Sequence, residues 1–163
     1  HKLTIAANVR NNSNISLAQG VIYSMLLPEL KKHQKKYNAM YTLTEKQFEK
    51  TLALNPRNGL ASFYLATLWA KHKPQQAKKA FQRAITLTPR SNVIRLGFAK
   101  FLIAQHQQNP ALALLERGMN YPLHPTKSTM TYLSFLQKQL LKNKRYADAK
   151  KVQAKIKWLH HRP

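Results

Sequence analysis

Between residues 15 and 159, apolar side chains recur at spacings of three and four, and no stretch alternates apolar with polar positions as a half-buried strand would. The pattern predicts helices nearly throughout. Glycine occurs only 4 times, and the 8 prolines fall mainly between the periodic stretches, where they mark helix starts and turns. Pro56, Pro89 and Pro122 are 33 residues apart, each after a helical stretch in which small and aromatic residues come in a fixed order. A single hairpin of that length cannot bury its own apolar face, so the period predicts helical hairpins stacked on one another.

The unit is clearest over residues 61–89. Leu65, Ala66 and Trp69 share one helix face, a break follows at KHKP, and Ala77, Phe81 and Ala84 form the inner face of a second helix ending near Thr88 and Pro89. Small residues let two helix backbones approach closely while Trp69 and Phe81 fill the space beside them. The next unit carries Phe98, Ala99 and Leu102, then Ala111, Leu115, Gly118 and Pro122. A third carries Leu136, Leu140, Tyr146 and Ala149, with Gln153 where a large apolar residue is usual. An earlier, partial unit has Phe48, Leu52, Leu54 and Pro56. This order resembles the tetratricopeptide repeat (TPR), with a loop one residue shorter in the clearest unit. The resemblance implies an all-α fold of antiparallel helical hairpins stacked as a short right-handed solenoid. The chain is expected to form a single domain, with a helical lead-in over 1–44, TPR-like repeats over 45–159 and a basic tail over 160–163.

Local signals refine the segmentation. Thr42-Leu43-Thr44-Glu45 has the form of a capping box, which predicts a helix start there. Pro74 and Pro110 fall at expected first-turn positions, where a missing N–H costs nothing.

At 163 residues the chain is long enough to bury a sizeable core without a metal or disulfide staple. It has no Cys, which excludes a disulfide framework, a thiolate nucleophile and a Cys-based zinc site. No apolar run reaches the length of a membrane span, since the longest, around residues 21–27, stops at Pro28 and KKHQKK. The start at His1, without a charged n-region and apolar h-region, is expected of a processed or excised chain.

No catalytic constellation stands out, and no catalytic residue or cofactor is assigned. Glu45 and Glu49 share a helix face, but the capping reading puts both in first turns, where negative charge suits the helix dipole. Glu116 and Asp148 stand among cations as surface ion-pair partners, with Lys144, Arg145 and Lys151 near Asp148. His33, His72, His106 and His124 are scattered, and the adjacent His160 and His161 point to different sides of a helix, so no metal site is expected. Phosphate loops, nucleophile elbows and zinc-protease motifs are absent. Asn11-Asn12-Ser13 and Asn14-Ile15-Ser16 match the glycosylation sequon, a pattern short enough to arise by chance.

Charge changes the picture more than any motif. With 28 Lys and Arg against 5 Asp and Glu, the formal net charge is +23, a field that attracts polyanions and anionic surfaces. The cations are spread over the chain, at residues 31–36, 71–73, 78–79, 142–145, 150–151 and 155–162. The expected partner is an acidic protein segment or a phosphorylated glycolipid, with an anionic membrane surface nearby. A nucleic-acid-binding repeat protein is the alternative, motivated by charge alone because no recognition motif accompanies it.

A second resemblance is one of arrangement. A basic helical lead-in, TLALNPRN, a short repeat array, GMNYPLHP and a closing KRYADAKK look like the soluble C-terminal extension of bacterial O-antigen ligases and pilin O-oligosaccharyltransferases. It implies a non-catalytic domain on the periplasmic side of the inner membrane, with the glycosyltransferase chemistry in a membrane portion elsewhere; a cytoplasmic location is the alternative. The TPR resemblance also implies a binding surface, because the first helix of each hairpin lines the concave face in that family. The matching positions are Tyr64, Thr67 and Lys71, then Leu96, Lys100 and Ile103, then Phe135, Lys138 and Lys142. Lys100 and Lys138 occupy the same place in consecutive units.

Overall fold

The computed structural model describes the backbone of residues 2–161 and the side chains from residue 5 to residue 161. Of the basic tail expected at 160–163, residues 162 and 163 lie outside the described residues. Eight α-helices and no strand occur among them: α1 (Lys2–Leu26), α2 (Gln34–Leu54), α3 (Gly59–Trp69), α4 (Pro74–Leu87), α5 (Asn92–Ala104), α6 (Gln108–Gly118), α7 (Lys127–Lys142) and α8 (Tyr146–His160). They pair in sequence as α1/α2, α3/α4, α5/α6 and α7/α8, so the chain is an all-α series of helical hairpins. Two compact units contain them, one ending at Thr88 and the other beginning at Pro89.

In the first unit, α2 and α1 both pack on α3. The α1/α2 seam is close because α1 turns small residues toward it: Ser13 and Ser16 are buried, and a Cβ added to the buried Gly20 would lie 2.5 Å from a Phe48 ring carbon. Ser13 Oγ also donates to the Thr51 carbonyl oxygen at 3.4 Å. On the opposite face of α1, Ile15, Ile22, Met25 and Leu26 are exposed. The α3/α4 seam is built on Ala61, Leu65, Ala66, Ala77, Phe81 and Ala84, all buried as the repeat pattern requires.

In the second unit, α5 and α6 both pack on α7. Phe98, Ala99, Leu102, Ala111, Leu115, Leu136, Leu140 and Ala149 form its core with Tyr132, Leu133, Val152 and Leu159. Gly118 is demanded by close approach, since a Cβ there would run into the side chains of Arg95 and Tyr132. Gln153 is half-buried and its Oε1 accepts from Gln137 Nε2 at 2.6 Å, so a polar pair takes the place of the usual apolar contact. Tyr146 departs from expectation. It is 64% exposed because it is the first residue of α8, at the tip of the hairpin where α7 has already ended.

Helix starts follow a rule that the capping reading at 42–45 missed. That stretch lies inside α2, where Thr44 Oγ1 donates back to the Met40 carbonyl oxygen at 2.7 Å. The side-chain caps are instead Asn58, Ser91 and Thr126, whose oxygens accept from the N–H groups of Ala61, Ile94 and Thr129 at 2.9, 3.3 and 3.2 Å. They open α3, α5 and α7, and each follows a proline within two residues. Pro74 is the first residue of α4 and Pro110 the third of α6, both within the first turn, where no N–H is needed.

Candidate functional site

The positions selected by the repeat register fall in both units. Tyr64 is half-buried, and its ring stacks on that of Phe48 with centroids 5.6 Å apart. Thr67 is exposed and its hydroxyl donates to the Phe63 carbonyl oxygen at 2.9 Å. Lys71 lies past the end of α3, in the turn to α4, and is exposed. In the second unit, Leu96, Ile103 and Phe135 are half-buried, whereas Lys100, Lys138 and Lys142 are exposed. Lys100 places its ammonium 5.6 Å from the centroid of the Phe135 ring, which brings α5 and α7 positions of the expected column together.

Lys71 belongs to a cleft at the tips of the α1/α2 and α3/α4 hairpins. The cleft has a volume of about 360 Å³ and is lined by Lys31, Gln34, Tyr37, Lys71 and His72. The α1–α2 turn is tied by its own backbone, with Leu30 N–H donating to Leu27 O at 3.2 Å and His33 N–H to Leu30 O at 2.8 Å. The α3–α4 turn is tied likewise, through His72 N–H to Trp69 O at 3.1 Å. Behind the cleft, the His72 ring stands edge-on to Tyr41 with centroids 5.5 Å apart. The Tyr41 hydroxyl donates to the Leu68 carbonyl oxygen at 3.4 Å, and burial, then the nearby Glu45 carboxylate, push its pKa up to about 12. Nothing in the sequence singled out Lys31, Gln34, Tyr37 or His72. The only signal was that two clusters of cations both fall at hairpin turns.

The acidic residues are arranged differently from the capping reading. Glu45 and Glu49 lie in the interior of α2, away from any helix start. Glu45 is held by both the Trp69 indole N–H and the Lys73 ammonium, which ties α2 to α3 and to the start of α4. Lys73 also lies 5.5 Å from the Trp69 ring centroid. In the second unit, Arg145 pairs with Glu116 at 2.7 Å and with Asp148 at 2.6 Å, and Lys151 adds a contact to Asp148 at 3.3 Å. Hydrogen bonds from Arg145 and then Lys151 hold the Asp148 carboxyl below its ordinary value. Both acids are surface ion-pair partners, as their neighbours implied. Among the described residues, no group of three or more His, Asp or Glu side chains could hold a metal ion, and no helix is long and apolar enough to cross a membrane.

Arg95 is a buried cation that the sequence pattern did not flag. It is 3% exposed, donates to the carbonyl oxygens of Pro89 and Leu114, and lies 5.3 Å from the Tyr121 ring centroid. Two carbonyls and a ring face take the place of a carboxylate, which ties the start of α5 to α6.

A solved structure described as the functional characterization of Pseudomonas aeruginosa PilF resembles this chain with a TM-score of 0.71. The likeness covers 93% of this chain and 63% of that one, at 18% identity, so this chain spans less than two thirds of the PilF chain. It is a likeness of fold, and it supports a TPR-like helical-repeat architecture. No protein-family model and no curated protein matches the sequence.

Proposed function

We propose that this chain is a non-catalytic interaction scaffold that docks an acidic protein segment. The observation that carries the reading is uncompensated charge on an ordered frame. Of the 5 acidic side chains, Glu45, Glu116 and Asp148 make ion pairs, with Lys73, Arg145 and Lys151. Most of the described cations are exposed to solvent, and stacked hairpins characteristically serve as docking surfaces.

The test is salt titration of binding to an acidic peptide pool, a nonspecific DNA duplex and anionic vesicles. Preference for the peptides that survives physiological salt is the expected result. Tight, duplex-preferring binding at the same salt would overturn the reading in favour of nucleic acid, because charge-only association weakens steeply with salt.

The proposal extends to placement. The sequence order resembling the extension of O-antigen ligases and pilin O-oligosaccharyltransferases supports a position on the periplasmic side of the inner membrane, near a phosphorylated glycolipid. The sequence flanking this chain tests it: membrane spans of a glycan ligase there agree with the placement, and a flanking cytoplasmic enzyme domain contradicts it.

A further inference from the structure

We propose that the cleft between the tips of the α1/α2 and α3/α4 hairpins is an oxyanion site, holding a carboxylate or phosphate group of the docked segment. This rests on the scaffold reading above and adds where, and by which chemistry, the partner is gripped. The cleft is lined by two ammonium groups, an imidazole, a phenol and an amide, and by no carboxylate. Among the described residues, neither Lys31 nor Lys71 makes an ion pair, and the Tyr37 hydroxyl has no hydrogen-bond partner. Three donors of the lining are thus uncommitted.

The acids of the first unit do not quench them. Glu45 is engaged by Trp69 and Lys73. Glu29 shares the α1–α2 turn with Lys31, yet it is exposed and pairs with neither lysine, and Glu49 is exposed on α2. Lys31 and Lys71 therefore share a concavity that no carboxylate lines and in which neither is ion-paired, where each raises the affinity for an incoming anion.

The walls are also set in advance. Both turns are closed by backbone hydrogen bonds, and His72 is held edge-on to Tyr41, which in turn lies against Tyr37 at a centroid separation of 6.3 Å. A site whose backbone is already ordered loses less freedom when it binds. The volume of about 360 Å³ suits one oxyanion with its carrier side chain. Beyond the cleft, Lys32 in the α1–α2 turn and Lys35 and Lys36 at the start of α2 are exposed and would track the acidic chain onward.

The test uses fluorescence anisotropy with a labelled oligoglutamate peptide and a labelled, singly phosphorylated peptide of otherwise neutral sequence. Wild type is compared with Lys31→Ala/Lys71→Ala, with Tyr37→Phe, and with Lys46→Ala/Lys50→Ala, a pair exposed further along α2. Thermal melts check that each variant folds. We expect the tip pair to lose about tenfold or more in affinity for at least one peptide, and Tyr37→Phe roughly threefold with no change in charge. The control pair should lose less than either. The peptide that suffers more identifies the group as carboxylate or phosphate. Equal losses for the two lysine pairs, or no loss from Tyr37→Phe, would overturn the site while leaving the scaffold reading intact. Failure of wild type to bind either peptide would overturn both. Loss of vesicle binding alone in the tip pair would assign the cleft to a membrane surface and also overturn the proposal.

Discussion

Lys100 on α5 holds its ammonium nitrogen 5.6 Å from the centroid of the Phe135 ring on α7, a contact made within the second unit. Both residues were selected from the repeat register, and the structure shows that the register brings them together. The ammonium keeps its charge on the ring face, so the contact serves the α5–α7 seam and leaves the cation open to a ligand. Replacing Lys100 with Ala should lower stability by about 0.5–1 kcal/mol, the range of an exposed cation–π contact. The binding role is separated by comparing Lys100→Ala/Lys138→Ala with Lys150→Ala/Lys157→Ala, an equal charge loss at exposed positions of α8. A larger loss of anionic-peptide affinity in the first pair is expected. Equal losses would reduce the column to a contribution of net charge.

Ala77, Ala84, Ala99 and Ala111 have no exposed surface at all, as close helix contacts require. Ala77→Leu would force three extra heavy atoms into the α3/α4 seam and should cost roughly 1–3 kcal/mol. Chemical denaturation measures this directly. An unchanged midpoint would show that the seam can open without penalty.

Two hairpin turns carry a removable strain. His106 and Lys144 both have φ of 58°, the left-handed region, immediately beyond α5 and α7. Each sits in a Schellman turn: Gln107 N–H reaches Leu102 O at 2.8 Å and Arg145 N–H reaches Leu140 O at 2.9 Å. A side chain in this conformation costs about 1–2 kcal/mol that glycine avoids, although glycine gives back part through unfolded-state entropy. His106→Gly and Lys144→Gly should therefore each raise the melting temperature. A drop would mean that the turns favour a residue with a side chain.

Tyr132 provides a pH signature. Its hydroxyl donates to the Leu115 carbonyl oxygen, and burial pushes its pKa up from 10.0 to about 12. The folded state therefore favours the neutral phenol more than the unfolded chain does. Its stabilising contribution is complete below pH 10 and is lost as pH rises through about 12. Tyr132→Phe should be less stable at neutral pH by about 0.5–1.5 kcal/mol, because a buried carbonyl loses its donor. The difference from wild type should shrink between pH 10 and 12. Parallel stability curves for the two proteins across that window would contradict this assignment.

The alignment of small residues carried most of the fold. Ala77, Ala84, Ala99, Ala111 and Gly118 recur where helices touch, and prolines separate the hairpins, so helix number and pairing were legible over residues 61–159. The helix starts were legible too, in Pro56-Arg57-Asn58 and Pro89-Arg90-Ser91, but the capping box at 42–45 offered a stronger pattern in the wrong place. It failed because α2 packs on both α1 and α3, and that tertiary burial carries the helix straight through a local start signal.

Sequence alone determined that the chain is all-α, that its hairpins repeat with a period near 33 residues, and that it carries a formal net charge of +23. These follow from periodicity, residue size and composition, which are local or additive properties. Only the tertiary structure decided which charges are spent and which are free. Glu45 is taken up by Trp69 and Lys73, 24 and 28 residues away, and Lys100 lies against the Phe135 ring. Lys31 and Lys71 meet unpaired across one cleft. Such pairings depend on which hairpin tips are neighbours in space, and the spacing of charges along the chain carries no record of that.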